Sequence, residues 1–264
     1  MLEDLFYHPK IHSTLRQFDL DHKLRHLFRI FKERQSGVRT LRTGGAMAMF
    51  YDFSLLDEKW LSTELKVLSD VLEELQTKDV FYDIGADAGL YSVFTAKEGS
   101  QNGNESIVGF EPHPIRRSSF NRNLKLNDVR DDVRIVPECL SNYNGETQVD
   151  YAMINNPGDK TKRRGFNATV RRGDDLVENS EISPPTILKI DVEGAEGEVI
   201  SGLSEALTRA ECRALYVEVH DKVENFGWSR QEVYDCIEEM GYSITQIAVR
   251  ETEDHEEKFI KATK

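Results

Sequence analysis

Acidic residues and one histidine follow two short apolar segments of the sequence. Asp191 ends the segment ILKID, Glu193 comes two residues later, and His220 ends the segment ALYVEVH. Carboxylates and an imidazole can accept the proton of a hydroxyl group, or hold a divalent cation that lowers the pKa of that hydroxyl. We therefore predict that Asp191, Glu193 and His220 are catalytic residues, with His220 as the first candidate for the general base. Their spacing does not by itself define a metal site, so both roles stay open.

Polar side chains also lie inside these two apolar segments. Alternate residues of a strand point to the same side, so Lys189 shares a face with Asp191, and Glu218 shares one with His220. Lys189 is therefore a fourth candidate catalytic residue. The structural alternative is a buried ion pair between Lys189 and Glu218. Glu196, in the first turn of the helix that follows, is equally suited to a purely structural role at the helix dipole.

A second constellation surrounds a glycine-rich turn. The residues GADAG (85–89) connect the apolar segment VFYDI to a helical segment, which is where open α/β sheets bind nucleotides. The dinucleotide pattern G-x-G-x-x-G fails because Asp87 and Leu90 replace its second and third glycines, and no phosphate-binding Gly-Lys-Ser/Thr follows. The carboxylates of Asp83 and Asp87 would repel a pyrophosphate. They suit a ligand with a positive centre and no phosphate, such as S-adenosylmethionine (SAM).

Glu111 completes the predicted cofactor site. It ends the next apolar segment, 22 residues after Gly89, where an acid can accept hydrogen bonds from both ribose hydroxyls. Pro112 and Pro114 then end the strand. The alternative is that Gly85 and Gly89 only form a tight turn and that Glu111 only caps a helix.

The apolar periodicity predicts the elements that position these residues. Strand-like segments alternate with helical ones after Asp79, which is typical of right-handed βαβ units and of a doubly wound, mostly parallel sheet. The last two strands have no helix between them and predict an antiparallel hairpin at one edge. Residues 145–175 predict a hairpin and an exposed loop. Strands are predicted over 80–84, 106–111, 133–136, 186–191, 214–220, 242–249 and 258–262, and helices over 57–76, 89–98, 114–127, 195–208 and 229–240.

The first 56 residues predict an extension that precedes the main domain, residues 57–264. A helix over 12–35 has an apolar face beside a basic stripe, and a hairpin over 37–53 turns at Gly44-Gly45. Such a basic amphipathic helix can lie on an anionic membrane or pack on its own domain as a lid. We therefore expect either a lid or a peripheral membrane contact through residues 12–35.

The charge of the chain limits its partners. The 264 residues carry a net charge of −13, but residues 1–42 hold nine Lys or Arg and five Asp or Glu, a net +4, so the remainder carries −17. An acidic body excludes a nucleic-acid partner, which needs a basic face. Three widely spaced cysteines predict neither a disulfide framework nor a zinc site. No membrane-spanning apolar run and no signal-peptide pattern are visible, so we expect a cytoplasmic protein.

Taken together, these motifs resemble those of the FkbM family of SAM-dependent methyltransferases. The resemblance implies an α/β class I SAM-methyltransferase fold, Rossmann-like, and O-methylation of a sugar, a glycan or another small molecule. A lipid-linked glycan would suit the basic N-terminal helix. The matching stretches are VFYDIGADAGLYS (80–92), IVGFEPHPIRRSSFNRNLKLN (107–127), VRIVPECLSNYNGE (133–146), ILKIDVEGAEGEVISGL (187–203) and YVEVH (216–220).

The resemblance also implies which residues bind the cofactor. Asp83, Gly85 and Gly89 line the methionine part of SAM, Glu111 holds the ribose, and Ser141 and Asn142 lie near the adenine. Two positions depart from the family pattern: Asn142 stands where Asp is frequent, and Asp87 stands where Asn is frequent. Two alternatives stay open, a catalytically inactive SAM-binding protein and a methyltransferase of a non-sugar secondary metabolite. The full set is Asp83, Gly85, Asp87, Gly89, Glu111, Pro112, Ser141 and Asn142.

Overall fold

The computed structural model describes residues 38–51, 58–102, 106–149, 165–251 and 256–264. The helix predicted over 12–35 and the domain boundary predicted between residues 56 and 57 lie outside these residues, as does much of the predicted loop within 145–175. Of the helices that are described, none is both long and apolar enough to cross a membrane.

A central sheet contains all seven strands that the sequence predicts after Asp79. The strands of the described residues are β1 (Arg39–Thr43), β2 (Ala46–Phe50), β3 (Val80–Ile84), β4 (Ser106–Phe110), β5 (Val133–Val136), β6 (Cys139–Ser141), β7 (Gly145–Val149), β8 (Phe166–Arg172), β9 (Ile187–Ile190), β10 (Ala214–Val219), β11 (Ser243–Glu251) and β12 (Glu256–Thr263). The order in the central sheet is β11-β12-β10-β9-β3-β4-β5, with β12 antiparallel to both neighbours and the remaining pairs parallel. The doubly wound, mostly parallel sheet with an antiparallel hairpin at one edge is therefore confirmed.

Helices cover both faces of this sheet. They are α1 (Glu58–Glu74), α2 (Leu90–Asn102), α3 (Pro114–Leu126), α4 (Gly173–Glu178), α5 (Glu196–Gly202), α6 (Ser204–Thr208) and α7 (Arg230–Glu239), with 3₁₀ turns at Arg130–Asp132 and Asp221–Phe226. The first three helices contribute to one buried apolar cluster, and the last four contribute to another. Phe81 joins the first cluster and Tyr82 the second, because successive strand residues face opposite sides of the sheet.

The strand order reverses between β3 and β9, which is where an open α/β sheet has its crevice at the carboxyl ends of the strands. The N–H groups of Gly85 and Ala86 both donate to the carbonyl oxygen of Phe110 at 3.0 Å. On the other side, the N–H of Asp191 donates to the carbonyl oxygen of Ile84 at 3.0 Å. These bonds join the carboxyl ends of β3, β4 and β9 at the place where open α/β sheets bind ligands.

Two regions differ from the sequence prediction. The single helix predicted over 195–208 is instead α5 and α6, because the carboxylate of Asp174 accepts hydrogen bonds from the N–H groups of Glu205 (3.0 Å) and Ala206 (2.9 Å) and so begins a second helix. The region 145–175 does contain an antiparallel pair, β7 and β8. However, β6 pairs in parallel with β8 to give a small three-stranded sheet, and α4 follows directly, neither of which was predicted.

The N-terminal hairpin packs on the main domain. Strands β1 and β2 pair around Gly44-Gly45, which confirms the predicted turn. Phe50 is fully buried and its ring stacks on that of Phe94 at 5.9 Å between centroids. The N–H of Met49 donates to the side chain of Asn127 at 2.8 Å, and the amide of Asn127 donates back to the carbonyl oxygen of Met49. The hairpin thus packs on α2 and is hydrogen-bonded to the end of α3.

Candidate active site

The glycine turn after β3 is closed tightly against its neighbours. Gly85 and Gly89 have φ angles of +79° and +85°, a region that residues with a Cβ adopt only at a cost. A Cβ on Gly85 would lie 1.8 Å from the carbonyl oxygen of Asp191, and one on Gly89 would lie 2.2 Å from the ring of Phe120. Both positions therefore require glycine for steric reasons. The turn that the two glycines form places the carboxylates on either side of it at the crevice.

Asp83 lies fully buried below this turn. Its Oδ2 accepts hydrogen bonds from the N–H (3.0 Å) and the hydroxyl (2.7 Å) of Ser92, in the first turn of α2. Its Oδ1 has no hydrogen-bond partner in the described ranges and lies 3.7 Å from Nζ of Lys189. Burial raises the pKa of Asp83, and the Lys189 ammonium opposes that rise. An orphaned carboxylate oxygen at this point suits a ligand that brings a donor or a positive charge.

Glu111 is held in one orientation at the end of β4. One carboxylate oxygen accepts from the N–H of Asp87 at 2.8 Å, and the other accepts from the N–H of His113 at 2.7 Å. Asp87 itself has a left-handed φ of +47° and pairs with Arg116 at 3.0 Å. Burial raises the pKa of Glu111 to about 7. Each oxygen keeps a lone pair for a further donor, so the carboxylate is oriented to accept two hydroxyl groups.

The other three predicted cofactor residues lie around adjoining strand ends. Pro112 follows Glu111, and its carbonyl oxygen accepts from the guanidinium of Arg117. Ser141 is buried at the end of β6, and its hydroxyl donates to Oε2 of Glu198 at 2.8 Å. Asn142 is exposed. The expected contact of Ser141 and Asn142 with adenine stays a prediction.

Lys189 and Asp191 meet at the end of β9. Nζ of Lys189 lies 3.2 Å from the carbonyl oxygen of Gly85 and 3.2 Å from Oδ2 of Asp191. Burial alone would lower the pKa of Lys189, but Asp191 and Asp83 together raise it above its ordinary value. Burial alone would likewise raise the pKa of Asp191, but Lys189 and His220 hold it below its usual range. Lys189 therefore joins the carboxylates of β3 and β9.

The predicted alternative of a Lys189–Glu218 ion pair is wrong. Lys189 stands directly opposite Asp83 in the register of β3 and β9, and this places its ammonium between Asp83 and Asp191. Glu218 instead accepts from the guanidinium of Arg250, in β11. The two residues thus have different ion-pair partners, and within the described residues they are connected only indirectly, through Asp191 and His220.

His220 follows β10 and is almost completely buried. Its Nδ1 lies 2.7 Å from Oε1 of Glu196. Its Nε2 faces three carboxylates, with Oε1 of Glu218 at 3.5 Å, Oδ1 of Asp191 at 3.7 Å and Oε2 of Glu193 at 4.0 Å. The structure thus brings together Asp191, Glu193 and His220, with Lys189, the fourth candidate catalytic residue, beside Asp191.

These carboxylates also determine the charge of the imidazole. Burial alone would lower the pKa of His220, but the hydrogen bond with Glu196 and the charges of Glu196, Asp191 and Glu218 raise it to about 10. The imidazole therefore carries a proton at neutral pH unless a cation offsets the surrounding charge. A cationic ligand in the crevice would do so, and would return His220 toward the neutral form that a base or a metal ligand requires.

A second buried network lies behind these residues. Arg250 donates to Oε1 of Glu64 at 2.9 Å and also to Glu218, while the hydroxyl of Tyr91 donates to Oε2 of Glu64 at 2.8 Å. Burial raises the pKa of both Glu64 and Glu218. Through this network, helix α1 is joined to β10 immediately before His220.

Sequence reasoning missed several members of these networks. Glu64 did leave a signal, since it is an acid on the apolar face of α1, between Leu61 and Leu68. Glu196 was noticed only as a helix-dipole residue, although it is the partner of His220. Arg250 left no signal, because it lies in a strand of mixed character far from its partners in the sequence.

A cavity of about 610 Å³ lies elsewhere, near the amino end of β9. Its lining includes Arg134, Ser183 and Arg209 and none of the predicted site residues. Cavity volume therefore does not identify the active site of this protein. The convergence of buried charges at the carboxyl ends of the strands identifies the better candidate.

Comparison with known proteins identifies the family of this chain. The profile described as the methyltransferase FkbM domain matches residues 83–244, which begin at the buried Asp83 and extend past His220. The chain belongs to the FkbM methyltransferase family. This FkbM protein is accordingly a SAM-dependent methyltransferase with the class I fold.

The individual relatives described next share less than 30% sequence identity with this chain. The hexuronic acid methyltransferase AglP of Haloferax volcanii is 29% identical over 177 residues, which cover 64% of this chain and 69% of AglP. The methyltransferase sdnD of Sordaria araneosa is 26% identical over 210 residues, covering 66% of this chain and 78% of sdnD. A solved methyltransferase FkbM from Methylobacillus flagellatus is similar with a TM-score of 0.48 at 14% identity, over 80% of this FkbM protein and 56% of that chain.

Proposed function

We propose that this FkbM protein transfers the methyl group of SAM to the oxygen of a hydroxyl group on a sugar or another small molecule. The observation that carries the proposal is the meeting of Asp191, Glu193 and His220 beside the end of β3, which holds Asp83. O-methylation needs residues that can promote loss of the hydroxyl proton. A hydroxyl is a weak acid, and its oxygen becomes a good nucleophile only as its proton leaves.

The residues of the crevice fit SAM. Among the described residues at and behind the rim formed by Asp191, Glu193 and His220, six carboxylates outnumber the cations of Lys189, Lys222 and Arg250 and the imidazole of His220. An excess of negative charge suits the sulfonium and ammonium groups of SAM and disfavours a phosphorylated cofactor. The oriented carboxylate of Glu111 suits a ribose diol, and the orphaned oxygen of Asp83 suits the amino-acid part. The six carboxylates are those of Glu64, Asp83, Asp191, Glu193, Glu196 and Glu218.

The chain's own task in the reaction is to bind the acceptor and receive its proton. SAM supplies an electrophilic methyl group: the acceptor oxygen forms the new C–O bond as its O–H bond breaks, and the C–S electron pair returns to sulfur. The released proton passes to His220, or to solvent where a cation has lowered the pKa of the hydroxyl. Asp191 and Glu193 line the same rim and orient the acceptor oxygen toward the crevice. Lys189 holds Asp191 and Asp83 in place.

A sugar acceptor is the finer part of the proposal. It is supported by AglP, whose name describes methylation of a hexuronic acid and which shares 29% identity with this chain. An excess of carboxylates at the rim favours an uncharged sugar hydroxyl over a free uronate group, because like charges repel. A methyltransferase of a non-sugar metabolite is the alternative outcome of an acceptor screen.

The experiment begins with the cofactor and then asks for the product. S-adenosylhomocysteine is titrated into wild type and Glu111→Ala by calorimetry, and the variant is expected to bind at least about tenfold more weakly, or about 1.4 kcal/mol. Acceptors are then screened with ¹³C-methyl SAM, and the methyl resonance identifies an O-methyl product. If folded wild-type protein did not bind S-adenosylhomocysteine, the proposed methyltransferase function would be contradicted.

The catalytically inactive alternative makes a separate prediction. A SAM-binding protein without turnover would methylate no acceptor, and Asp191→Asn would alter only its stability. The proposal instead expects Asp191→Asn to lower turnover while S-adenosylhomocysteine still binds. Measuring binding and turnover on the same preparations separates the two.

A lipid-linked acceptor is a further element of the proposal, supported only by the sequence of residues 12–35. Vesicles of anionic lipid are floated with wild-type protein and with a variant in which Arg25, Arg29 and Lys32 are replaced by Glu. Loss of co-flotation in the variant is expected if this segment contacts the membrane. Equal behaviour of the two proteins would remove the lipid part and leave the methyltransferase reaction untouched.

A further inference from the structure

The imidazole Nε2 of His220 faces three carboxylates, each at more than an ordinary hydrogen-bond distance. His220 is 2% exposed, and in the described part of the chain its only hydrogen-bonded ring nitrogen is Nδ1. The nearest oxygens to Nε2, on Glu218, Asp191 and Glu193, lie at 3.5, 3.7 and 4.0 Å. These separations exceed the length of an ordinary N–H···O hydrogen bond, about 3.2 Å at most, and leave space between Nε2 and the carboxylates.

We infer that Asp191, Glu193 and His220 form a binding site for a divalent cation of the Mn²⁺ type. One ligand atom from each residue can be chosen so that all three lie within 4.8 Å of one another. Two atoms that are each about 2.1 Å from one ion lie about 3.0 Å apart at right angles and about 4.2 Å apart in line. The separations of 3.7 and 4.0 Å from Nε2 to Asp191 and Glu193 fall in that interval.

The second ring nitrogen supports the same assignment. Nδ1 of His220 lies 2.7 Å from the carboxylate of Glu196, which has no exposed surface. Metal-ligating histidines commonly donate their other N–H to a carboxylate, and this fixes the tautomer and turns the free lone pair toward the ion. Glu196 therefore acts as a positioning residue that presents Nε2 to Asp191 and Glu193.

The carboxylates of Asp191 and Glu193 are better suited to the ion than those of Glu218 and Glu257. These latter two also lie near His220, but both already pair with the guanidinium of Arg250. Asp191, in contrast, uses Oδ2 for Lys189 and directs Oδ1 toward Nε2. The guanidinium of Arg250 would repel an ion from Glu218 and Glu257. Asp191 and Glu193 remain accessible from the crevice.

Backbone conformation points to the same place. Glu193 has a left-handed φ of +58° although it is not glycine, and Gly194 follows at +117°. Such strain is found where a side chain must be aimed at a particular point. The N–H of Gly194 donates to Oε1 of Glu196 at 3.0 Å, so the same carboxylate holds both the strained turn and His220.

Lys222 occupies the position of a competing cation. Its ammonium donates to Oε2 of Glu193, the oxygen that faces His220. The Lys222 side chain is partly exposed and flexible by type, so a divalent ion can displace it. Removing this ammonium should therefore strengthen ion binding, whereas nonspecific damage to the site would weaken it.

The role of the ion rests on the proposed function. A divalent cation at this rim would bind the acceptor hydroxyl and lower its pKa, so that the O–H proton leaves to solvent before the oxygen takes the methyl group. An imidazole with two carboxylates suits Mn²⁺ better than Mg²⁺, because Mg²⁺ prefers oxygen ligands alone. Ion binding itself is measurable without any acceptor or turnover.

The test uses full-length protein freed of metal with EDTA and titrated with MnCl₂ by calorimetry. One ion per chain is expected, with affinity reduced at least about tenfold in His220→Ala and in Glu193→Gln. Lys222→Met should bind Mn²⁺ about threefold more tightly, and Glu224→Gln, an exposed acid on the neighbouring 3₁₀ turn, should change by less than about twofold. Pulsed EPR of bound Mn²⁺ should show coupling to an imidazole nitrogen that is lost in His220→Ala.

Binding of S-adenosylhomocysteine, measured on the same preparations, separates the possible failures. Wild type that binds S-adenosylhomocysteine but not Mn²⁺ or Mg²⁺ would overturn the cation site and leave the proposed function with His220 as its base. Mn²⁺ binding that persists in His220→Ala without the nitrogen coupling would overturn the assignment to these residues. Wild type that binds Mn²⁺ but not S-adenosylhomocysteine would overturn the proposed function and leave the site standing.

Discussion

Nδ1 of His220 lies 2.7 Å from Oε1 of Glu196, and the same oxygen accepts the N–H of Gly194 at 3.0 Å. One buried carboxylate oxygen thus joins the end of β10 to the turn that carries Glu193. The relationship explains why an acid in the first turn of α5 is completely buried, which the helix dipole alone does not require.

Glu196→Gln is expected to disturb the imidazole without disturbing the cofactor site. The amide keeps the side-chain shape but removes the negative charge that fixes the Nδ1–H tautomer. We expect Mn²⁺ affinity to fall about 10- to 100-fold, and S-adenosylhomocysteine affinity to stay within about twofold. Glu205→Gln, an exposed acid in the first turn of α6, is the matched control. Equal loss of both ligands in Glu196→Gln would show general unfolding of the site instead of loss of positioning.

Glu111 predicts a pH dependence of cofactor binding. Burial raises its pKa to about 7, and a ribose diol donates to the ionised carboxylate, so binding should tighten as the pH rises through that value. If only the ionised form binds, S-adenosylhomocysteine affinity should be about tenfold weaker at pH 6 than at pH 8. Calorimetry across this range is the measurement. Glu111→Gln should bind weakly with no such slope, and a slope that survives in this variant would assign the titration to another group.

Gly85 and Gly45 form a matched pair that separates backbone strain from steric exclusion. Both have positive φ, at +79° and +84°, but a Cβ on Gly85 would meet the carbonyl oxygen of Asp191 at 1.8 Å, while one on Gly45 would meet nothing within 4 Å. We expect Gly45→Ala to cost about 1–2 kcal/mol of unfolding free energy, and Gly85→Ala to cost more than about 4 kcal/mol or to prevent folding. Urea unfolding and soluble yield measure both. Similar costs would show that the close approach of β3 and β9 can relax.

Much of the fold was predictable because local signals and topology agree. Apolar runs such as VFYDI and ILKID are strands in the structure, and chain order alone places Asp83, Asp191 and His220 at one edge of a parallel sheet. The predicted catalytic residues meet there for that reason. Their separations, and the charge that each carries, depend on packing and were not predictable from the sequence.

What the sequence did not predict depends on partners distant along the chain. The break between α5 and α6 follows from Asp174, about thirty residues away, which caps the second helix. The partner of Glu218 is Arg250, from β11, and the partner of Arg250 in turn is Glu64, 186 residues earlier. Periodicity shows which face a residue occupies, but it does not show which opposite charge reaches that face.

The buried Glu64–Arg250–Glu218 network provides the last prediction. Arg250→Met removes the guanidinium that pairs with both Glu64 and Glu218, two carboxylates that are each about 97% or more buried, and it should lower the unfolding free energy by about 3–5 kcal/mol at pH 8. Burial raises the pKa of Glu64 and Glu218, so the folded variant gains protons at lower pH and unpaired charge disappears. The difference in unfolding free energy between wild type and Arg250→Met should therefore be smaller at pH 5 than at pH 8.

Charge removal provides the control for that variant. Adding Glu64→Gln and Glu218→Gln to Arg250→Met removes the two most buried charges and leaves only the partly exposed Glu257 without its partner. The triple variant should therefore recover at least about half of the lost free energy at pH 8 and show little gain at pH 5. Arg42→Met, at an exposed position of β1, should cost less than about 0.5 kcal/mol. Urea unfolding at both pH values measures all three proteins. If the triple variant were as unstable as Arg250→Met, the cost would lie in lost packing of the Arg250 side chain against Trp60 and Phe259, whose rings it covers at 5.3 and 5.0 Å, instead of in charge.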